Sequence, residues 1–151
     1  ITIKQGLASS SDIAVYKAME IAFNGYTQAY YDQLKDMGIS NLDTPLQILT
    51  TYNSIANNKN NQANIDSLKQ ALEYVVTDGL GQPAKSDKVQ IAGETGTIQL
   101  EDGSYIVEFC GYFPANAPQY SAIISIHKKE LPASGGLMAG DVFRQIVNHM
   151  I

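Results

Sequence analysis

The segment Tyr105–Phe113 places large apolar residues on both faces of a strand. Side chains alternate along a strand, so Tyr105, Val107, Phe109 and Phe113 point one way, and Ile106, Cys110 and Tyr112 the other. Such a strand must be covered on both faces, which calls for helices above and below a sheet. Its neighbours can be read from the turns. Glu101-Asp102-Gly103-Ser104 separates it from Val89–Leu100, and Asp-Gly is a strong hairpin signal. Pro114-Ala115-Asn116-Ala117-Pro118 then turns the chain into Tyr120–His127. The expectation is a three-stranded antiparallel meander.

Helices surround it in sequence. Ser9-Ser10-Ser11-Asp12 offers N-caps for a helix over Ile13–Phe23, stopped by Asn24-Gly25. Thr27 can cap a second, Gln28–Met37, closed by Gly38. Thr44-Pro45 opens a third over Leu46–Ala56, with proline at the first helical position. After the polar loop Asn57–Asn61, a fourth starts at Asn64 or Asp66 and runs through Val76 to Asp78-Gly79. At the end of the chain, Met138, Val142, Phe143, Ile146, Val147 and Met150 form a stripe at helical spacing that should pack on the sheet. The layout is α+β: a mainly helical segment, 1–88, then the meander and a C-terminal helix, 89–151, in a single domain.

Composition closes off several functions. A net charge of −5 without a basic cluster argues against nucleic acid. No window approaches the roughly 20 apolar residues that cross a bilayer. The single cysteine, Cys110, excludes an internal disulfide and reads as a buried strand residue. His127 and His149 lack Cys or acidic partners at ligand spacing, so neither a metal nor another cofactor is expected. The chain begins at Ile1, as expected of a processed or excised piece.

Ala92-Gly93-Glu94-Thr95-Gly96-Thr97 resembles the Lys-Thr-Gly-Thr strand of the penicillin-binding proteins, with Glu94 at the lysine position. Other landmarks follow in order. Ile3–Ala14 resembles the approach to the Ser-x-Asn motif of class B penicillin-binding proteins of the cell-division and elongation type, with Ser10 on its serine and Asp12 on its asparagine. Met37-Gly38-Ile39, Thr44-Pro45-Leu46-Gln47 and Tyr52–Asn57 resemble the family's Gly-Ile and Thr-Pro-Leu-Gln helix. Phe109–Ala115 resembles the strand and turn after Lys-Thr-Gly, and Gly135-Gly136 through Val142-Phe143 the entry to the last helix.

The resemblance implies the later part of a transpeptidase domain and a partial penicillin-binding protein/β-lactamase-like fold. In that family a serine is acylated by the D-Ala-D-Ala end of a peptidoglycan stem peptide, and the acyl group passes to an amine on a neighbouring strand. β-Lactams stall the enzyme at the acyl stage. A lysine one helical turn from the serine acts as its base. The Lys-Thr-Gly strand borders the cleft, where its backbone can pair with an extended ligand or serve the oxyanion hole. The resemblance therefore assigns Ser10, Asp12 and Glu94 to the catalytic positions, and Thr95, Gly96 and Thr97 to substrate binding. It implies stem peptide or β-lactam as partner, and a parent anchored in the membrane with this domain outside. The family sheet has five strands, so the Tyr120–His127 edge should be exposed or covered by a second copy.

Two departures bear on activity. No Ser-x-x-Lys occurs in a convincing context, so this chain should be silent alone. Both cleft motifs have also become acidic. Asp12 replaces a neutral donor by an acceptor, and Glu94 replaces a cation by an anion. Two carboxylates about 4 Å apart at an effective dielectric near 20 repel by roughly 4 kcal/mol, so Glu94 should repel the substrate carboxylate that a lysine attracts. The alternative function is a non-catalytic relative serving as a binding or scaffolding module. The residues also have plain structural readings. Ser10 and Asp12 suit helix caps, and Glu94 suits a solvated edge-strand charge that blocks unwanted pairing.

Overall fold

The computed structural model describes residues 2–23, 28, 29, 32, 44–57 and 62–151. Helices α1 (Ile3–Ala8), α2 (Asp12–Phe23), α3 (Pro45–Asn57) and α4 (Gln62–Asp78) precede strands β1 (Ala92–Gln99), β2 (Tyr105–Phe113) and β3 (Tyr120–Lys128). A π-helical turn (Gly135–Gly140) then leads into α5 (Asp141–Met150). The sheet order is β1-β2-β3, antiparallel throughout. This is the expected α+β meander.

The two-faced reading of β2 holds. Phe109 and Phe113 pack with Val76, Ala84, Ile91, Ala139, Phe143 and Val147 in one core. Tyr112 packs with Ala56, Leu72, Ala92 and Ala115 in a second, which Tyr52 and Ile55 of α3 also join. The sheet thus lies between α5 and the α3–α4 pair. Of the C-terminal stripe, only Phe143 and Val147 are sealed; Val142, Ile146 and Met150 keep 37%, 40% and 51% of their surface exposed.

Helix starts follow local chemistry. Thr44 Oγ1 accepts from the Gln47 N–H while Gln47 Oε1 accepts from the Thr44 N–H, a reciprocal cap before Pro45. Thr2 and Gln5 repeat the device on α1, a helix the sequence pattern did not suggest. β1 is shorter than the predicted Val89–Leu100. Its register pairs Ala92 with Tyr112, so a longer ladder would reach Pro114, which has no N–H to give. Gln90 O instead accepts from the Ala115 N–H at 2.8 Å. Gln28, Ala29 and Asp32 are helical, with Gln28 Nε2 donating to Asp32 Oδ1. The rest of the predicted Gln28–Met37 helix, its Thr27 cap, Gly38, the Asn24-Gly25 stop and the Met37–Ile39 landmark lie outside the described residues.

Candidate functional site

Ser10 is presented by a helix stop. It has φ of 48°, a left-handed conformation that costs a non-glycine residue about 1 kcal/mol or more. The stop is locked by two bonds to α1: the Ser10 N–H donates to Leu7 O and the Ser11 N–H to Gly6 O, both at 2.9 Å. α1 is itself tied to the end of α4, where the Leu80 N–H donates to Ala8 O at 2.9 Å. A Cβ on Gly79 would stand 2.5 Å from that same carbonyl, so the crossing needs glycine. The cap of α2 is Ser11, whose Oγ accepts from the Ala14 N–H. Ser10 is therefore not the cap, and Asp12 opens the helix as its first residue, where a negative charge suits the helix dipole.

A cleft of about 600 Å³ runs between this turn and edge strand β1. Ser10, Asp12, Leu7 and Val15 line it from the helical side, Glu94, Thr95 and Thr97 from β1, and Leu80 with Ala133–Gly136 completes it. Five of the six residues singled out by sequence thus share one cavity. Gly96 lies off the lining, beneath Gly135, whose added Cβ would stand 2.5 Å from Gly96 O. The Gly135 N–H donates to Thr97 Oγ1 at 3.2 Å, and Ser134 Oγ accepts from the Leu137 N–H. The Ala133–Gly136 contribution was not anticipated. Gly135-Gly136 was legible as the entry to the last helix, but nothing in its composition marks a cleft wall.

Glu94 is not the solvated edge charge that a surface strand would carry. Its Oε1 accepts from the Thr95 N–H at 2.8 Å and from Thr95 Oγ1 at 3.2 Å. Its Oε2 is buried without a hydrogen-bond partner. Burial pushes its pKa up to about 7, against the two Thr95 hydrogen bonds that favour the anion. The group therefore holds its proton to a higher pH than an ordinary glutamate does, which lessens its charge contrast with lysine. Tyr52, Cys110 and Tyr112 share its surroundings. Burial first, then the charges of Cys110, Glu94 and Tyr112, drives the Tyr52 hydroxyl far above its ordinary range. Burial and the Glu108 charge push the Cys110 thiol up to about 12. Cys110 is buried, as its strand position suggested, and stays a thiol.

Ser125-Ile126-His127-Lys128 matches Ser-x-x-Lys in letters alone. It lies on β3, where residues three apart point to opposite faces, so Lys128 cannot serve Ser125 as a base. The described residues hold no cluster of three or more His, Cys, Asp or Glu able to bind a metal. Among them, no helix is long and apolar enough to cross a membrane.

A sequence profile of the penicillin binding protein transpeptidase domain matches residues 22–148. Glu94, Thr95, Gly96 and Thr97 fall inside that match, and Ser10 and Asp12 ahead of it. Stage V sporulation protein D of Bacillus subtilis (strain 168) is 32% identical over 87 residues, 53% of this chain and 14% of that protein. The peptidoglycan D,D-transpeptidase FtsI homolog of Chlorokybus atmophyticus is 30% identical over 92 residues, 56% of this chain and 14% of that protein. The transpeptidase domain of FtsI4 D,D-transpeptidase from Legionella pneumophila superposes with a TM-score of 0.82 at 20% identity, covering 99% of this chain and 69% of that one. The corresponding domain of Burkholderia pseudomallei penicillin-binding protein 3 gives 0.58 at 21% identity, covering 69% and 40%. The structural likenesses speak to the fold. The aligned stretches of the two curated relatives are a small part of their length.

Proposed function

We infer the function from the family: this chain belongs to the penicillin binding protein transpeptidase domain family, and its cleft is the ligand groove of that domain. The observation that carries the reading is the meeting of Ser10 and Asp12 with Glu94, Thr95 and Thr97, distant in sequence, around one cavity. The chain is the later part of a D,D-transpeptidase domain, and it folds as a single unit over residues 1–151. Its parent cross-links peptidoglycan outside the membrane that anchors it, taking stem peptides ending in D-Ala-D-Ala, with β-lactams as mimics. Ser10 and Asp12 stand at the proton-handling loop, Glu94 at the lysine position, and Thr95, Gly96 and Thr97 on the ligand-pairing strand. Without a helical Ser-x-x-Lys, the chain alone does not acylate. The test is a fluorescent β-lactam incubated with the full-length parent, then denaturing electrophoresis. A covalent band competed by unlabelled drug supports the enzyme, and its absence under saturating label refutes it.

A second reading has its own support. Asp12 and Glu94 are both acids in a cleft with no basic residue among its described lining, which suits a non-catalytic relative serving as a binding or scaffolding module. On that reading the parent binds stem peptide or a partner without acylation. β3 is an edge strand of the described sheet, and in isolation a second copy can pair with it. Sedimentation of the purified chain distinguishes monomer from dimer.

A further inference from the structure

Glu94 bonds back to its own strand. Its carboxyl takes both hydrogen-bond donors of Thr95, the backbone N–H and the hydroxyl, through the single oxygen Oε1. Thr95 lies on the edge strand of the described sheet and lines the cleft. A chain laid along such an edge binds through backbone N–H and C=O groups, and a carboxylate or carbonyl entering here would seek these same donors. We infer that Glu94 is a built-in competitor that holds the Thr95 donors until a ligand displaces it. This rests on the groove reading given above.

The chemistry separates this role from that of a lysine. An ammonium group has donors and no acceptor, so a lysine at this position leaves the Thr95 donors free. A glutamate one residue away is tethered to them, which gives it a high effective concentration against any ligand in solution. The carboxyl is held by its two Oε1 contacts, while the unpartnered buried Oε2 is a cost of that position that a displacing ligand relieves. Among the described residues, the ionisable groups around it are Asp12 across the cleft, Tyr52 on α3, and Glu108, Cys110 and Tyr112 on β2. None of these is basic, so none attracts a ligand carboxylate in place of the missing lysine. Glu94 therefore weakens any ligand that needs the Thr95 donors, whether its acceptor is a carbonyl or a carboxylate.

The experiment uses the chain itself, isotopically labelled for NMR, with a synthetic peptide ending in D-Ala-D-Ala as probe. In the wild type, the Thr95 amide should be protected from exchange and should titrate with the Glu94 carboxyl. Glu94→Ala should remove both signatures and tighten peptide binding at least tenfold, the order expected for two freed donors to a charged group. Glu94→Gln keeps an oxygen acceptor and should bind nearly as weakly as wild type. Unchanged Thr95 exchange in Glu94→Ala overturns the contact itself. Equal peptide affinity in wild type and Glu94→Ala overturns the competitor while leaving the groove reading intact. A freed Thr95 amide with no peptide binding in either protein overturns the groove reading, and the competitor with it.

Discussion

Gly135 crosses β1 directly over Gly96, so closely that a Cβ on Gly135 would stand 2.5 Å from the Gly96 carbonyl oxygen and 2.4 Å from that of Glu108. Both obstacles are backbone and cannot swing aside. Gly135→Ala should therefore lift the Ala133–Gly136 segment off the sheet, break the bond from its N–H to Thr97 Oγ1, and destabilise the chain by several kcal/mol. Gly96→Ala is the control. Its nearest neighbour would be Glu108 Cβ at 3.6 Å, an ordinary contact, so the cost should stay under about 1 kcal/mol. Urea unfolding of the two variants checks the contrast.

Phe143 fastens α5 to the sheet. Its ring lies 4.8 Å from that of Phe109 and 5.8 Å from that of Phe113, edge-on to both, and its side chain is 1% exposed. Phe143→Ala should cost about 3–5 kcal/mol, combining lost transfer energy with the cavity left behind. Phe143→Leu should cost less than half of that. Ile146→Ala, one turn along at 40% exposure, should cost clearly less than Phe143→Ala. Thermal unfolding followed by circular dichroism ranks the three.

Glu94 makes stability depend on pH in a direction opposite to most surface carboxyls. Its ordinary pKa of 4.5 rises to about 7 in the fold. Between those values the folded chain holds a proton that the unfolded chain has released, so stability is highest below about 4.5 and falls as pH rises through about 7. After allowance for partial exposure, the loss is on the order of 2–3 kcal/mol. Glu94→Gln should flatten this part of the profile. The check is the difference in unfolding free energy between wild type and variant at pH 5 and pH 8; a difference that does not change with pH contradicts the assignment.

Sequence reading reached the sheet because period and punctuation agree there. β2 begins and ends at the predicted residues, Tyr105 and Phe113, since Asp102-Gly103 and Pro114 bracket a segment apolar on both faces. It missed α1 because six residues give too short a window for a helical stripe, and the Thr2–Gln5 cap is visible only when closed. The site was legible by motif and not by environment. Ser10 and Glu94 could be matched to positions, but the left-handed φ of Ser10 comes from the Gly6 and Leu7 carbonyls of α1. The burial that raises the Glu94 pKa arises only once the chain has folded around β1, where the Tyr52 hydroxyl of α3 feels the Glu94 charge. Single-residue chemistry cannot report either until the chain closes around it.

The β1–β2 hairpin carries its own titratable lock. Ser104, 5% exposed, donates to Asp102 Oδ1 from its N–H at 2.9 Å and from its Oγ–H at 2.5 Å. Its Oγ also lies 2.8 Å from His127 Nε2 on β3. With the hydroxyl proton committed to the carboxylate, Nε2 must carry the hydrogen of that third bond. The order Asp102, Ser104, His127 makes the serine a bridge rather than a nucleophile, because its proton points at the acid and no base is free to take it. The two Ser104 bonds, with a smaller contribution from His127, hold the Asp102 carboxyl below its ordinary range. Ser104→Ala removes the hydroxyl bond and keeps the backbone one, so it should return that carboxyl part of the way toward the ordinary aspartate value. A side-chain carboxyl NMR titration of the two proteins checks this; an Asp102 midpoint that does not move in the variant would show that the Ser104 hydroxyl is not what holds it.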